Sequence, residues 1–263
     1  MKISVICPTY NSSLHIKRAM DSLLDQTEIP YEVIFSDDGS IDDTINIINN
    51  YKDKFSKKNI RFLLISNKHS GPGKNRNIAM SEAVGEWFAF LDSDDEWKID
   101  KLERVKHYYQ NNNQVNVFLN WEKFHMKNGK VILLKNGNIF KNSLNLTKQL
   151  YKENFLSTSA VIIHKSLYSK FGGFDESLPN AQDYDYWLKL SPDITLCVIK
   201  EYLGIYFETS GNITRRPYRK KIRSLIRIAY RYKSQINLIS FIKKIFQIFF
   251  SKNWIKDLIK LNF

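Results

Sequence analysis

Cysteine is scarce in this chain, and its two residues, Cys7 and Cys197, stand far apart in short apolar runs. Neither has a neighbour at the spacing of a zinc-ligand pair or a redox motif, which excludes a disulfide framework and a cysteine-based metal site. Short apolar runs of this kind are typical of strands. We therefore expect two buried free thiols in a reducing compartment.

Long apolar segments are also lacking. The first apolar stretch, residues 3–7, ends at Pro8 and is too short for a signal peptide, so export by that route is not expected. No uncharged apolar run reaches the roughly 18 residues that a membrane-spanning helix requires. Lys243 and Lys244 interrupt the best candidate. The chain is therefore expected to be cytoplasmic.

Acidic residues are almost absent from the C-terminal part. Residues 215–263 contain 14 Lys and Arg but one acid, Asp257, whereas residues 1–214 contain 26 residues of each sign. The whole net charge of +13 therefore lies in the last 49 residues. We predict a neutral globular domain at 1–214 and a basic tail at 215–263.

The first 91 residues alternate β-branched or aromatic runs with amphipathic stretches. This alternation predicts an α/β fold with a mainly parallel central sheet flanked by helices. Strands are expected at residues 3–7, 31–36, 60–65 and 87–91, helices at 14–24, 42–51 and 74–84 with Ser12 and Asp42 as N-caps, and further strands at 115–119, 131–134 and 159–163.

Polar clusters follow three of these strands, at residues 9–11, 37–40 and 92–95. Ligands of open parallel sheets gather at the carboxyl ends of strands. Asp92 and Asp94 would be forced together there and need a counter-charge, which Mg²⁺ or Mn²⁺ supplies with one or two carboxylates and phosphate oxygens as ligands. A helix cap by Asp94 or Asp95 is the alternative, and the two interpretations are compatible.

Two loops have a structural and a binding interpretation. Residues 37–40 make an ordinary turn, but Asp38 also suits a nucleobase N–H. Residues 71–77 lead into a helix, and they place Lys74 and Arg76 near its N-terminus. The helix dipole and the two cations favour a diphosphate at that point.

In their order and spacing, residues 8–11 (PTYN), 37–40 (DDGS), 71–77 (GPGKNRN) and 92–95 (DSDD) resemble the motifs of family 2 glycosyltransferases with the GT-A fold. Residues 157–160, 171–176 and 182–187 resemble the acceptor-side pattern of the same family, so the resemblance covers about residues 2–214. It implies a Rossmann-like GT-A domain and a metal-dependent, inverting single displacement. In that reaction an acceptor hydroxyl attacks the anomeric carbon as a nucleoside diphosphate leaves.

The resemblance also implies roles for individual residues. Asp183 would be the catalytic base, and Asp94 would bind Mn²⁺ or Mg²⁺. Asp92 would contact the ribose or the sugar, and Arg76 would position the donor. The implied nucleotide-sugar site consists of Pro8, Thr9, Tyr10, Asp38, Lys74, Arg76, Asp92 and Ser93.

One position departs from the family pattern, because Gln182 stands where a glutamate usually precedes the base. The absent charge should leave the pKa of Asp183 less elevated than in the usual pair. A helix cap is the alternative role for Asp183, and core packing is the alternative to a sugar contact for Trp187. The signature of processive synthases is missing after this segment, which favours transfer of a single sugar.

Three functions compete at this stage. The first is transfer of a hexose or N-acetylhexosamine from a UDP-sugar to a lipid-linked or other glycan acceptor in surface polysaccharide or lipopolysaccharide (O-antigen) biosynthesis. The second is a degenerate nucleotide-sugar-binding protein, which only Gln182 favours. The third is a nucleotidyltransferase, which would need a glycine-rich basic loop after the first strand, where residues 8–11 stand instead.

The tail mixes basic, aliphatic and aromatic residues at helical spacing, with an apolar stripe at Leu238, Ile242, Ile245 and Phe249. An amphipathic helix on an anionic membrane surface fits this mixture, and places the enzyme peripherally on the cytoplasmic face of the inner membrane. Nucleic-acid binding is the rival, but nothing else in the chain supports it. Helices that pack on the domain with a solvated basic face are the third possibility.

Overall fold

The computed structural model of the chain describes residues 1–209 and 218–250. In these two ranges nine strands form one sheet, in the order β3-β2-β1-β4-β8-β6-β9-β5, with β7 paired to β6. The strands are β1 (Ile3–Thr9), β2 (Glu32–Asp37), β3 (Arg61–Ser66), β4 (Trp87–Phe90), β5 (Glu96–Trp97), β6 (Val117–His125), β7 (Val131–Leu134), β8 (Val161–His164) and β9 (Leu196–Phe207).

The direction of pairing changes half-way across the sheet. The first four strands in the chain pair in parallel, which confirms the predicted α/β alternation in that half. β8 then runs antiparallel to both β4 and β6, while β9 runs parallel to β6. The sheet as a whole is therefore a mixed sheet, and the prediction of a mainly parallel one holds for its first half.

The central strands are buried on both faces, which explains their nearly continuous apolar sequences. Successive side chains of a strand point to opposite faces. Ile6 and Ile34 accordingly join the apolar cluster on one side of the sheet, and their neighbours Val5 and Val33 join the cluster on the other side.

The helices of the described ranges flank the sheet, and their starts differ from two predicted caps. The first helix begins at Ile16 with His15 as N-cap, so the assignment of Ser12 is wrong. The N-cap of the second is Asp43, one residue after the predicted Asp42. The helices are α1 (Ile16–Leu24), α2 (Thr44–Asn49), α3 (Lys52–Lys57), α4 (Pro72–Glu82), α5 (Lys101–Asn111), α6 (Leu146–Lys152), α7 (Lys165–Phe171), α8 (Gln182–Leu190), α9 (Arg219–Arg231) and α10 (Leu238–Phe249).

Both cysteines are free thiols. Cys7 lies in β1 with no exposed surface, and burial raises its pKa well above the ordinary value. Cys197 lies in β9 and is only partly buried. The prediction of a buried thiol therefore holds for Cys7 and not for Cys197.

Helix α9 belongs to the packed structure, while α10 presents apolar residues to solvent. Ile222, Ile228 and Ala229 of α9 are buried in the same cluster as the sheet residues. In α10, Ile245 packs against that cluster, but Ile242 is 56% exposed. Within the described part of the chain, no helix is long and apolar enough to cross a membrane. The predicted boundary at 214/215 lies outside the described residues.

Candidate active site

The polar segments that follow β1, β2 and β4 meet at the carboxyl ends of these strands, as expected for neighbours in a parallel sheet. The hydroxyl of Thr9 donates to Asp37 Oδ1 at 2.8 Å. The hydroxyls of Ser12 and Ser93 are 2.7 Å apart. Ser12 thus links the segment after β1 to the acidic loop after β4, which explains why it is not a helix cap.

Asp37 and Asp38, in the turn after β2, accept hydrogen bonds from different segments. Asp37 accepts hydrogen bonds from the amide and the hydroxyl of Ser40, at 2.7 and 2.6 Å, and so closes the turn. Asp38 is buried and accepts from the amides of Ser70 and Gly71, at 2.7 and 3.0 Å. Asp38 therefore fixes the segment that precedes α4, and its contact with a nucleobase stays a prediction.

An aromatic pair lies beside this turn. Tyr10 is 47% exposed, and its ring stacks on His69 with 4.4 Å between the ring centroids. The Nδ1 atom of His69 is 2.9 Å from Asp38 Oδ2. Sequence reasoning gave His69 no role, although it stands two residues before the loop at 71–77. Exposed, stacked rings of this kind offer a surface to another flat aromatic group.

The N-terminus of α4 faces the same edge of the sheet. Gly71 adopts φ +96°, which favours glycine, and Pro72 begins the helix. Arg76 is buried, and its Nη2 donates to Asp92 Oδ1 at 2.5 Å. Within the described residues its Nε has no hydrogen-bond partner, which leaves a charged donor for an anionic ligand. Lys74 lies two residues earlier in the helix and is exposed.

The acidic loop at 92–95 leads directly into β5. The next helix, α5, starts at Lys101 with Asp100 as N-cap, so the interpretation of Asp94 or Asp95 as a helix cap is wrong. Asp94 Oδ2 instead accepts from the hydroxyl of Thr209 at 3.0 Å. Arg18 Nη2 donates to the carbonyl oxygen of Asp94 at 2.6 Å.

Burial and mutual repulsion govern the charges of this loop. Burial raises the pKa of Asp94, the nearby charge of Asp92 raises it further, and the hydrogen bond from Thr209 opposes both. Asp95 is more deeply buried, and its pKa is raised well above the usual value by burial and then by the charges of Asp94 and Asp92. These acids lie close enough for each to disfavour ionisation of the next.

A buried lysine lies beneath the acidic loop. Lys101 has no exposed surface, and its Nζ donates to the carbonyl oxygen of Ser159 at 2.7 Å. Burial lowers the pKa of Lys101 to about 7, against the charges of Glu122 and Asp95. The hydroxyl of Ser159 accepts from the amide of Asp92 at 3.1 Å and donates to Asp95. Segment 157–160 therefore holds the acidic loop in place.

The donor atoms of the loop suit a hard divalent cation. Over residues 1–209 and 218–250, no group of three or more His, Cys, Asp or Glu side chains is arranged to hold a metal. Asp92 and Asp94 offer two carboxylates instead. Mg²⁺ binds in this way, through one or two carboxylates with water and phosphate oxygens in the other positions. The residues present therefore fit Mn²⁺ or Mg²⁺ bound together with a diphosphate.

The first turn of α8 brings Asp183, the predicted base, close to the residues predicted to bind the donor. Asp183 lies in this turn after the N-cap Ala181, so its interpretation as the helix cap is wrong. Burial raises the pKa of Asp183, the charge of Asp92 adds to the effect, and the charge of Arg76 opposes it. Asp183 thus interacts electrostatically with residues after β4 and in α4.

Two neighbours of Asp183 are buried. Gln182 packs closely on Gly73 at the start of α4. A Cβ atom added at Gly73 would lie only 3.3 Å from the Cγ of Gln182. Trp187 has no exposed surface and packs against Phe90 and Phe174 in the core. The prediction that Trp187 contacts a sugar is therefore wrong, and core packing explains this residue.

Residues 4–172 match the family model described as Glycosyl transferase family 2. The chain belongs to this family. The matched region contains the four predicted donor-site segments at 8–11, 37–40, 71–77 and 92–95, and it ends before α8. Membership was predicted from the order of the four motifs, and it is confirmed.

This family 2 member is similar to proteins from several lineages. It is 26% identical over 238 residues to an uncharacterized glycosyltransferase of Methanocaldococcus jannaschii, covering 89% of this chain and 80% of that protein. It is 41% identical over 97 residues to the poly(ribitol-phosphate) beta-N-acetylglucosaminyltransferase TarS of Staphylococcus aureus, covering 36% of this chain and 16% of TarS. It spans only 30% to 58% of the length of its uncharacterized Rickettsia relatives.

Solved structures share the fold. The structure of TarS residues 1–349 in complex with UDP-GlcNAc superimposes with a TM-score of 0.73 at 22% identity, covering 98% of this chain and 80% of that one. The mannosyltransferase PcManGT of Pyrobaculum calidifontis, in complex with GDP-Man and Mn²⁺, gives a TM-score of 0.66 at 16% identity, covering 99% and 74%. The family 2 member therefore has the GT-A fold.

Proposed function

We propose that this protein transfers a single sugar from a nucleoside-diphosphate sugar to a hydroxyl of an acceptor, with inversion at the anomeric carbon. One observation supports this most strongly. Arg76, which follows the N-terminus of α4, forms an ion pair with Asp92 after β4 and interacts with Asp183 in α8. A cationic phosphate-binding group, an acidic strand end and a partly buried candidate base therefore face one another.

Different residues of the chain carry out separate parts of the reaction. Asp183 accepts the proton of the attacking hydroxyl as its oxygen bonds to the anomeric carbon. The bond from that carbon to the diphosphate oxygen breaks, and negative charge develops on the leaving diphosphate. Arg76, Lys74 and the N-terminal amides of α4 stabilise this charge. Asp92 accepts from a ribose or sugar hydroxyl.

The acidic loop completes the donor site. Asp94, with Asp92 beside it, would hold the divalent cation. Mn²⁺ or Mg²⁺ would supply positive charge that stabilises the leaving diphosphate. Ser93, Thr9 and Pro8 shape the floor of the site at the ends of β1 and β4. Tyr10 stacks on the base, with His69 behind it.

The donor is proposed to be a UDP-hexose or a UDP-N-acetylhexosamine. TarS, which shares 41% identity over 97 residues, is named as an N-acetylglucosaminyltransferase, and its structure is solved with UDP-GlcNAc. The acceptor is proposed to be a lipid-linked glycan of surface polysaccharide biosynthesis, since such an acceptor lies at the membrane and would explain a basic, apolar tail. Residues 1–214 would hold the donor and acceptor sites.

The exposed face of α10 supports a position on a membrane surface, which we propose to be the cytoplasmic face of the inner membrane. Ile242 and Phe246 are 56% and 61% exposed, and they line a groove of about 550 Å³ between α9 and α10. Lys243 follows directly on the same helix and is exposed. Apolar side chains that enter the interface beside basic residues that meet anionic headgroups are the pattern of a peripheral membrane helix.

Replacing Phe246 by glutamate is expected to weaken binding to anionic vesicles. Losing one aromatic side chain that would be buried in the membrane interface removes about 2 kcal/mol of binding free energy, or more than tenfold in affinity. Gln247→Glu is the matched control, because it adds the same charge at an exposed neighbour without removing apolar surface. Sedimentation with phosphatidylglycerol vesicles measures both. Equal binding of Phe246→Glu and the wild-type protein would contradict a membrane role for this face.

A screen of nucleotide sugars with Mn²⁺ or Mg²⁺ tests the proposed function. We expect metal-dependent hydrolysis of a UDP-sugar that exceeds hydrolysis of GDP- and dTDP-sugars. Tight binding of a nucleotide sugar with no hydrolysis or transfer would favour the degenerate binding protein. Absence of both binding and turnover for every nucleotide sugar would refute the proposal.

A further inference from the structure

Helix α9 is tied to the acceptor side by one arginine. Nη1 of Arg231 donates to both carboxylate oxygens of Asp185, each at 2.7 Å, and Nη2 donates to Asp175 Oδ2 at 2.6 Å. The side chain of Asp185 is 1% exposed and that of Asp175 is 19% exposed. Charge-assisted bonds from a rigid guanidinium are short and directional, so this contact fixes the two carboxylates relative to each other.

The two carboxylates belong to the segments on either side of the candidate base. Asp175 lies in the loop between α7 and α8, and Asp185 lies in the first turn of α8, the turn that holds Asp183. Burial raises the pKa of Asp175, but hydrogen bonds from Ser177 and Arg231 outweigh this and lower it to about 2. Asp175 is therefore negatively charged, and the hydrogen bonds from Ser177 and Arg231 stabilise that charge.

The same loop is held on its other side by α4. Asn77 Oδ1 accepts from the amide of Phe174 at 2.7 Å, and its Nδ2 donates to the carbonyl oxygen of Phe174 at 3.0 Å. The ring of Phe174 lies 5.6 Å from the guanidinium of Arg76. The loop is thus clamped between the donor-side helix α4 and the tail helix α9.

We propose that Arg231 is a positioning residue for sugar transfer. It neutralises Asp175 and Asp185 together and thereby holds the first turn of α8, with Asp183, in register with Arg76. Without Arg231 the carboxylate of Asp185 would be buried beside a like charge and would lose its hydrogen-bonded counter-ion, and the turn would move to relieve this repulsion. This inference rests on the proposed function, since it assigns Asp183 the role of base.

Replacing Arg231 by glutamine tests the proposal. Displacement of a catalytic group by about 1 Å can reduce turnover about 100-fold, so kcat for transfer should fall by about 10- to 100-fold. Affinity for UDP should stay within about twofold of the wild-type value, because the donor site has no contact with α9 in this mechanism. Arg231→Lys should recover part of kcat, since it restores the charge without the fork.

Arg227→Gln is the matched control. It removes the same charge from the same helix, where the guanidinium is 51% exposed and 3.7 Å from Asp175, and we expect nearly wild-type kcat. The hydroxyl of Tyr232 still donates to the carbonyl oxygen of Asp185 at 3.0 Å, so α8 keeps an uncharged link to the tail in the variants.

Hydrogen–deuterium exchange of residues 172–185 separates this inference from the proposed function. Faster exchange in Arg231→Gln than in Arg227→Gln, with unchanged exchange in β1 and β4, is expected even if no acceptor is known. Equal exchange in the two variants would overturn the positioning role, as would wild-type kcat in Arg231→Gln. A parallel loss of kcat, UDP affinity and melting temperature would also overturn it, because it indicates general destabilisation. Failure of the wild-type protein to transfer or hydrolyse any sugar would refute the proposed function alone.

Discussion

Asp183→Asn is expected to abolish sugar transfer while nucleotide binding is unchanged. The substitution keeps the size of the side chain but removes the group that accepts the proton, and such groups contribute about 10²- to 10⁴-fold to turnover. Steady-state transfer assays measure kcat, and calorimetric titration with UDP measures binding. The matched control is Asp193→Asn, which neutralises a partly exposed acid after α8 that pairs only with Lys170 among the described residues.

The pH dependence of transfer gives an independent check on Asp183. Burial raises its pKa above the ordinary 3.8, so the protonated, inactive form persists to higher pH than for an exposed aspartate. The rate should rise as pH increases through this raised pKa, and the rise should be absent from the residual activity of Asp183→Asn. Full transfer activity in Asp183→Asn would show that the base is another residue.

Asp94→Ala is expected to remove the dependence of donor binding on Mn²⁺ or Mg²⁺. The carboxylate is the proposed protein ligand of the cation, whose charge is worth several kcal/mol at a developing phosphate anion, so kcat/KM should fall at least about 100-fold. Titration with UDP, with and without Mn²⁺, measures the loss.

Asp100→Ala is the control for Asp94→Ala. Asp100 lies in the same stretch of chain, and its side chain makes no capping hydrogen bond at the start of α5. Its replacement should leave the effect of Mn²⁺ on UDP affinity unchanged. A variant lacking the Asp94 carboxylate that still binds UDP more tightly with Mn²⁺ would place the cation elsewhere.

The first half of the fold could be predicted because its strands are short apolar runs separated by turn residues. β1, β2 and β3 were each placed within one or two residues of their observed bounds. β9 was missed over most of its 12 residues because Lys200 and Glu201 interrupt its apolar pattern. Its stability comes from parallel pairing with β6, a contact between residues about 80 positions apart that no local pattern reveals.

Helix starts and buried side chains were harder to predict. Ser12 has the composition of an N-cap, yet it pairs with Ser93, which is 81 residues away. Local propensity cannot reveal a competing tertiary partner of this kind. The same reason explains the misassignment of Trp187, whose burial depends on packing against Phe90 and Phe174.

The loops that form the candidate site could be predicted from the sequence, but the contacts between their side chains could not. The order of the strands places residues 37–40, 71–77 and 92–95 at one edge of the sheet, and this follows from the βαβ rule alone. Arg18, Thr209 and His69 were not found, because each reaches the site from a segment with no motif of its own. His69 had a weak signal in its closeness to the loop at 71–77.

The two helices of the tail lie in different environments, which composition did not predict. The tail's excess of basic residues predicted one amphipathic unit, but α9 and α10 differ. α9 buries Ile228 in the core and binds Asp185 through Arg231, whereas α10 exposes Phe246. Charge would suggest the reverse of these environments, because the more basic helix, α9 with six Lys and Arg, packs on the core, whereas α10 contains only Lys243 and Lys244.

Equilibrium binding of UDP, measured by calorimetry with and without Mn²⁺, decides whether the acidic loop holds a metal-assisted nucleotide site. We expect the wild-type protein to bind UDP more tightly with Mn²⁺, Asp94→Ala to lose this enhancement, and Asp183→Asn to keep it. UDP binding that is absent in all three proteins, or that is equally Mn²⁺-dependent in Asp94→Ala, would contradict a metal-assisted nucleotide-sugar site at the end of β4.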